Sequence, residues 1–171
     1  VTDRPILFSP SMVQAILREI AQPGAGKTVT RRKANSPVLR LTTRGDTLWV
    51  REACVTDDRQ QRAVAYLADG EIDPSVTNDY AAPRNAFHMP RWASRLTLSV
   101  TATRVERLQA ITEADARAEG VESVAHFQAL WDVLHDPGAW DQNPEVIVIR
   151  FRPRLGNIDV LAAARDALVP S

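Results

Sequence analysis

Leu96-Thr97-Leu98-Ser99-Val100-Thr101-Ala102-Thr103 alternates apolar and hydroxyl-bearing residues at every step. A period of two belongs to a strand with one face in a core and the other in water. The strand runs on to about Arg107 with a slip in phase, which predicts a β-bulge. Downstream, Val146 to Phe151 is a β-branched run, the pattern of a central strand buried on both faces. Upstream, residues 27 to 32 and Leu48-Trp49-Val50-Arg51 read as two short strands, the second entered through a turn at Gly45-Asp46.

Helical signals lie around these strands. Ser9-Pro10 reads as a cap and first turn, after which Val13, Ile16, Leu17 and Ile20 fall on one face and Pro23-Gly24 ends the element. Thr112-Glu113-Ala114-Asp115 opens a short helix closed by Gly120, and Val124, Phe127, Leu130, Trp131 and Leu134 mark one side of a longer one. Asn157 can cap a last Ala-rich helix to about Leu168, docked on the domain or on a second subunit as a homodimer contact. The order of helix, two strands, long loop, strand, two helices, strand and helix predicts an α+β fold with a small curved sheet or barrel. Residues 1–153 form the domain, with a long loop inserted at about 56–94, and 154–171 form a helical appendage.

The chain has 171 residues, 44% of them hydrophobic and 25% charged, enough for one domain with a core. The lone Cys54 cannot form an internal disulfide, and no apolar span reaches membrane length. With no charged-then-apolar leader pattern, these features predict a cytoplasmic protein that does not engage a membrane. Three histidines and one cysteine without ligand spacing predict no structural zinc, and nothing else in the sequence calls for a metal or a cofactor.

The chemistry is concentrated in Gly26-Lys27-Thr28-Val29-Thr30-Arg31-Arg32. An amine beside a hydroxyl can serve as base and nucleophile, and paired arginines can hold a polar anion. Although the chain balances 21 basic against 21 acidic residues, no acid falls between Gly24 and Arg44, so the charge here is local, as at a site. Gly24-Ala25-Gly26-Lys27-Thr28 echoes a phosphate-binding P-loop, but the leading glycine would fall on Ala21. A P-loop also leaves a strand and opens a helix, the reverse of the order here. The polar 56–94 segment has the length of a binding lid. Tyr80 and Trp92 on it could stack a base, His88 and Arg91 could border the same pocket, and Arg91 and Arg95 are either phosphate contacts or solubilising charges. Glu52 is a reserve carboxylate beside the Trp49 strand, or an arginine's partner.

Gly26-x-Thr28-x-Thr30-Arg31-Arg32, Gly45-Asp46-x-Leu48-Trp49-Val50-Arg51-Glu52, Ile111-Thr112-Glu113-x-Asp115-Ala116-x-x-Glu119-Gly120 and the Val146 to Phe151 strand, in that order, resemble the ASCH domain family. His88-Met89-Pro90-Arg91-Trp92-Ala93-Ser94-Arg95 is similar to the version carried by phages and prophages. The resemblance covers roughly residues 4 to 153 and implies a PUA-like β-barrel with flanking helices, to which the C-terminal helix is an addition. One small bacterial member of the family hydrolyses N(4)-acetylcytidine to cytidine and acetate with a Lys, a Thr and a Glu. By matched position those roles fall on Lys27, Thr30 and Glu119, with Arg31, Arg32, Glu52, Tyr80, His88, Arg91 and Trp92 as substrate-binding candidates. The resemblance thus implies a metal-independent amidohydrolase acting on an N(4)-acylated cytidine or related pyrimidine nucleoside, free or in RNA. Other relatives bind or cut RNA, so a non-catalytic RNA-binding module and a metal-independent ribonuclease are the alternatives. On a regular strand residues 27 and 30 face opposite sides, so a shared site requires a turn or twist between them.

Overall fold

The computed structural model describes residues 2–167, leaving out the side chain of Val38. It is a mixed α+β structure with a five-stranded and a three-stranded sheet. The larger sheet is built from β1 (Asp3–Leu7), β2 (Val29–Lys33), β3 (Thr47–Arg51), β7 (Leu96–Arg107) and β8 (Glu145–Leu155), in the order β1-β3-β7-β8-β2. Every neighbouring pair is antiparallel except β1 with β3. Among the described residues the ladders do not close, and β1 and β2 are the two edges. The edges nevertheless meet at one end, where Arg32 donates from Nη2 to the Leu7 carbonyl at 2.6 Å and its guanidinium lies 4.9 Å from the Phe8 ring centre.

The long β7–β8 hairpin is the spine of the molecule, and its sequence explains why. Leu96, Leu98 and Val100 are buried, the register shifts between Val100 and Ala102, and the predicted bulge is therefore present. β8 is covered on both sides. Ile147, Ile149 and Phe151 join one core with Ile6, Phe8, Val13, Ile16, Leu48, Leu96 and Leu98, while Val146 and Val148 join a second with Val29, Leu108, Ala116, Phe127 and Trp131. Alternate side chains of one apolar strand thus close two layers.

α1 (Pro10–Ala21) packs on the first core through Val13 and Ile16, with Leu17 and Ile20 partly covered. The second core lies under α3 (Glu113–Ala118) and α4 (Val124–His135). α3 begins with a capping box in which Thr112 accepts from the Asp115 N–H and Asp115 reaches back to the Thr112 N–H. A short α2 (Pro37–Arg40) follows β2. α5 (Ile158–Ala167) docks on its own domain: Ile158 is buried, and the Asn157 amide donates to the carbonyls of Arg91, Trp92 and Ser94. The expected extension of this helix to Leu168 lies outside the described residues. Among the described residues no helix is long and apolar enough to cross a membrane.

Two expectations require correction. The 56–94 segment is not a plain loop, because it carries most of the second sheet, β5-β4-β6, formed by β4 (Cys54–Asp57), β5 (Arg62–Tyr66) and β6 (Ala81–Arg84). These strands are four or five residues long, and their hairpin is made by an unobvious turn. Asp57 accepts from the N–H groups of Arg59 and Gln60, and Gln61, at φ 49°, takes a left-handed conformation usually given to Gly or Asn. The chain also enters through an unexpected strand, β1, whose Pro5 weakens a strand signal and suits the sheet edge on which it lies.

Candidate functional site

Lys27 reaches its position because the chain between α1 and β2 is pressed against α1. Gly24 and Gly26 donate their N–H groups to the Glu19 carboxylate, and the Lys27 N–H donates to the Ala15 carbonyl at 3.0 Å. A Cβ on Gly26 would stand 2.2 Å from that carbonyl oxygen, so no other residue fits without moving the helix. Thr28 then bonds to the Ala118 carbonyl at the end of α3, and β2 starts only at Val29. Lys27 therefore precedes the strand, and this break lets Lys27 and Thr30 line one cavity despite their spacing.

Glu119 comes to the same cavity from the other side. It is the C-terminal cap of α3, and Gly120, at φ 89°, turns the chain away immediately afterwards. The Lys27 Nζ lies 2.6 Å from Glu119 Oε2 and donates also to the Glu119 carbonyl at 2.7 Å. The second contact satisfies a helix-end carbonyl and sets the cation against the negative end of the helix dipole. Arg31 donates from Nη1 to the other Glu119 oxygen at 3.1 Å, and its Nη2 lies 2.8 Å from Glu106 and 3.1 Å from Asp115. Arg104 holds those last two acids from outside. Three bases and three acids interlock here around a lysine that is 2% exposed.

Burial pushes the Lys27 amine below its usual pKa, Glu119 pulls it back up, and Arg32 and Arg31 add smaller downward pushes. Desolvation is thus a larger cause of the depression than the neighbouring arginines. Glu106 and Asp115 lie below their ordinary range although burial opposes it, because Arg31 and Arg104 favour their charged forms.

The cavity, of about 360 Å³, is walled by Phe8, Met12, Phe127, Leu130, Trp131 and His135, with Lys27, Thr30, Arg31, Arg32 and Glu119 as its polar side. Phe127, Trp131 and His135 recur every fourth residue along α4, with ring centres 6.0 Å apart for the first pair and 4.1 Å for the second. Burial lowers the His135 pKa, and Lys33 and Arg32 push it further down against Asp136. A half-apolar, half-ionic chamber of this size suits a planar polar ring.

The remaining candidates do not gather there. Glu52 is buried and held by Arg95 at 2.9 and 3.0 Å, and burial pushes its pKa up. Tyr80 is exposed and stacks with the Arg59 guanidinium. His88 is exposed and hydrogen-bonded to Asn85. Arg91 is tied to Asp3 and Asp159, and Trp92 packs against the Cys54, Met89 and Ala93 cluster beneath the second sheet. The 56–94 segment touches the cavity only at Ala86, so Tyr80, His88, Arg91 and Trp92 do not border it as a lid would, and Trp92 is not a stacking platform for this site. Arg95, bonded to Glu52 and Asp69, is no free phosphate contact either. Among the described residues, no three His, Cys, Asp or Glu side chains gather as a metal-binding group.

Trp131 and His135 were missed as site residues because an aromatic stripe on a helix reads first as core. The four-residue spacing of the three rings was the available signal. No family model matches this chain, and neither does any curated protein or solved structure.

Proposed function

We propose that this chain is an ASCH-type protein that hydrolyses the exocyclic amide of an N(4)-acylated cytidine, or of a related modified pyrimidine nucleoside, with Lys27, Thr30 and Glu119. The observation that carries the reading is the convergence of these three residues on one cavity, with the Lys27 amine 2.6 Å from the Glu119 carboxylate and depressed in pKa by burial. The sheet edges that meet through Arg32 and Leu7 support the PUA-like curl that the resemblance implies.

The chemistry needs a base, a nucleophile and an acid. With its proton passed to Glu119, Lys27 is a free amine, able to accept a proton from the Thr30 hydroxyl or from a water beside it as that oxygen attacks the acyl carbon. The carbon–nitrogen bond breaks as Glu119 protonates the departing exocyclic nitrogen, and cytidine leaves with its amino group restored. Where Thr30 attacks, Lys27 passes its proton to Glu119 once more, water attacks the acyl ester as Lys27 takes a proton from it, and Glu119 returns a proton to the departing Thr30 oxygen. One water is consumed, one carboxylate and one proton are released, and the lysine–glutamate pair ends as it began. Arg31 fixes Glu119 through its second oxygen, and the aromatic wall of α4 holds the ring.

Incubating the purified protein with N(4)-acetylcytidine and with unstructured RNA, with and without chelator, tests the reading. Release of cytidine and acetate, unchanged by chelator, is the expected outcome. The rival reading of a non-catalytic RNA-binding module has its own support, since Lys27 also caps the last carbonyl of α3 as a purely structural lysine would. Tight RNA binding with no turnover of any acylated cytidine would favour it.

A further inference from the structure

Arg150, Arg152 and Arg154 are exposed and occupy alternate positions of β8, so all three project from one face of the sheet. None of them has an ion-pair partner among the described residues. Arg31, Arg84 and Arg104, by contrast, are strand arginines each tied to an acid. Their ladder partners on the same face are Ala102, Ser99 and Thr97 of β7, beyond which Ser99 pairs with Thr47 of β3. The face is thus floored by small and hydroxyl-bearing residues. The acid that β1 adds to it, Asp3, is taken by Arg91. α3 and α4 cover the part of this face that holds Val146 and Val148. Beyond them it opens into a groove of about 560 Å³ between Arg154, Thr97, Ser99 and Thr47 on the sheet and Leu161 and Arg165 on α5.

We propose that this face is a track for a single-stranded RNA backbone, and that the substrate of the cavity is therefore an acylated cytosine within a polymer. The second clause rests on the hydrolase reading above; the first does not. Successive arginines stand about 6.6 Å apart along the strand, close to one nucleotide step, and a guanidinium matches a phosphate bidentately. Arg150 is the ladder partner of Val29, which directly precedes Thr30, so the row begins one strand away from the cavity lining and leads off along the sheet. The half-buried hydroxyls of Ser99 and Thr47 beside it supply further phosphate and ribose contacts, whereas the Thr97 hydroxyl is buried and donates to the Gly156 carbonyl.

The test is a triple variant, Arg150→Ala with Arg152→Ala and Arg154→Ala, checked for an unchanged melting temperature. Binding of an unstructured RNA oligonucleotide is measured from low to moderate salt, with Arg62→Ala on the second sheet as control. Because each phosphate contact on a single strand contributes a slope of about 0.7 to the log–log salt plot, loss of three should make it shallower by about 2. Affinity at low salt should fall by tenfold or more, while Arg62→Ala binds as wild type. For an oligonucleotide carrying one N(4)-acetylcytidine, kcat/KM should fall with the affinity, and kcat on the free nucleoside should hold. A salt slope unchanged in the triple variant would overturn the track, as would wild-type protein that binds anionic vesicles or acidic peptides but not RNA. If the wild type binds RNA through these arginines yet turns over neither substrate, the track stands and the hydrolase reading fails. If it turns over only the free nucleoside and does not bind RNA, the reverse holds.

Discussion

At the scale of single residues, the central feature is a buried lysine whose amine touches both the carboxylate and the backbone carbonyl of Glu119. Replacing it by Met keeps the length and removes the amine, so Lys27→Met should lower amide hydrolysis by about 10²–10⁴-fold, the usual worth of a positioned base. Lys27→Arg should not restore it, because a guanidinium stays protonated at any working pH. The wild-type pH–rate profile should climb with an inflection below 10.5, the ordinary lysine value from which Lys27 is depressed, and that limb should vanish in both variants. Stability carries the same signature. Between the native Lys27 pKa and 10.5 the unfolded chain binds the extra proton, so this group's contribution grows as pH rises and is lost as pH falls through the native value. Chemical denaturation of wild type and Lys27→Met across this window should give a difference that shifts in the wild type's favour with rising pH. The identities of Lys27, Thr30 and Glu119 were legible as candidates from residue type and matched position alone. That Arg31 serves Glu119 and the two acids Glu106 and Asp115 was not, because those partners are 75 to 88 positions away in the chain and only the fold brings them together.

At the scale of elements, the site is a junction of the end of α1, the start of β2 and the end of α3, and two glycines set the separations. On Gly26 a methyl would meet the Ala15 carbonyl at 2.2 Å, and overpacking of backbone against backbone costs about 1–3 kcal/mol or more. Gly120, at φ 89°, would place a methyl 2.8 Å from the Ala15 Cβ and 3.3 Å from the Lys27 Cβ. Gly120→Ala should therefore lower stability by about 1–2 kcal/mol through the left-handed backbone and also reduce kcat, since the same methyl pushes on the lysine. Thermal melts and steady-state kinetics together would check this, and a stable variant with full kcat would refute the coupling. The alternation from Leu96 and the apolar run from Val146 were legible because each pattern repeats over many residues and has one physical solution. The second sheet was not, since its strands are short, one contains Pro83, and the turn between β4 and β5 uses Gln61 where a glycine would have announced it.

At the scale of the whole molecule, stability in acid depends on carboxylates far apart in the chain. Asp46 is held below the usual carboxylate range by the Thr43 N–H first, with burial opposing and the Thr2 N–H and Arg4 assisting, while Glu106 and Asp115 are held down by Arg31 and Arg104 against burial. Each contributes stability that is present above its unfolded pKa of about 4 and is lost as pH falls through its lower native value. The melting temperature should drop steeply there, and the gap between wild type and Asp46→Asn, clear at pH 7, should narrow towards pH 2. The α+β class was legible from element order, but the meeting of the two sheet edges through Arg32 and Leu7 was not, because no local pattern reports a contact between residues 25 positions apart across an open sheet. The ladder order has a further consequence. Among the described residues β2 pairs only with β8, and β8 is also the long partner of β7, so an interior place in the sheet is filled by a strand far downstream of the edge it supports. On a ribosome, β2 would emerge more than a hundred residues before its partner, leaving the lysine and arginines of the site without their scaffold throughout that interval. Completion of this sheet thus waits for the synthesis of β8, and chaperone dependence during synthesis should exceed that of a protein whose neighbouring strands are also neighbours in sequence.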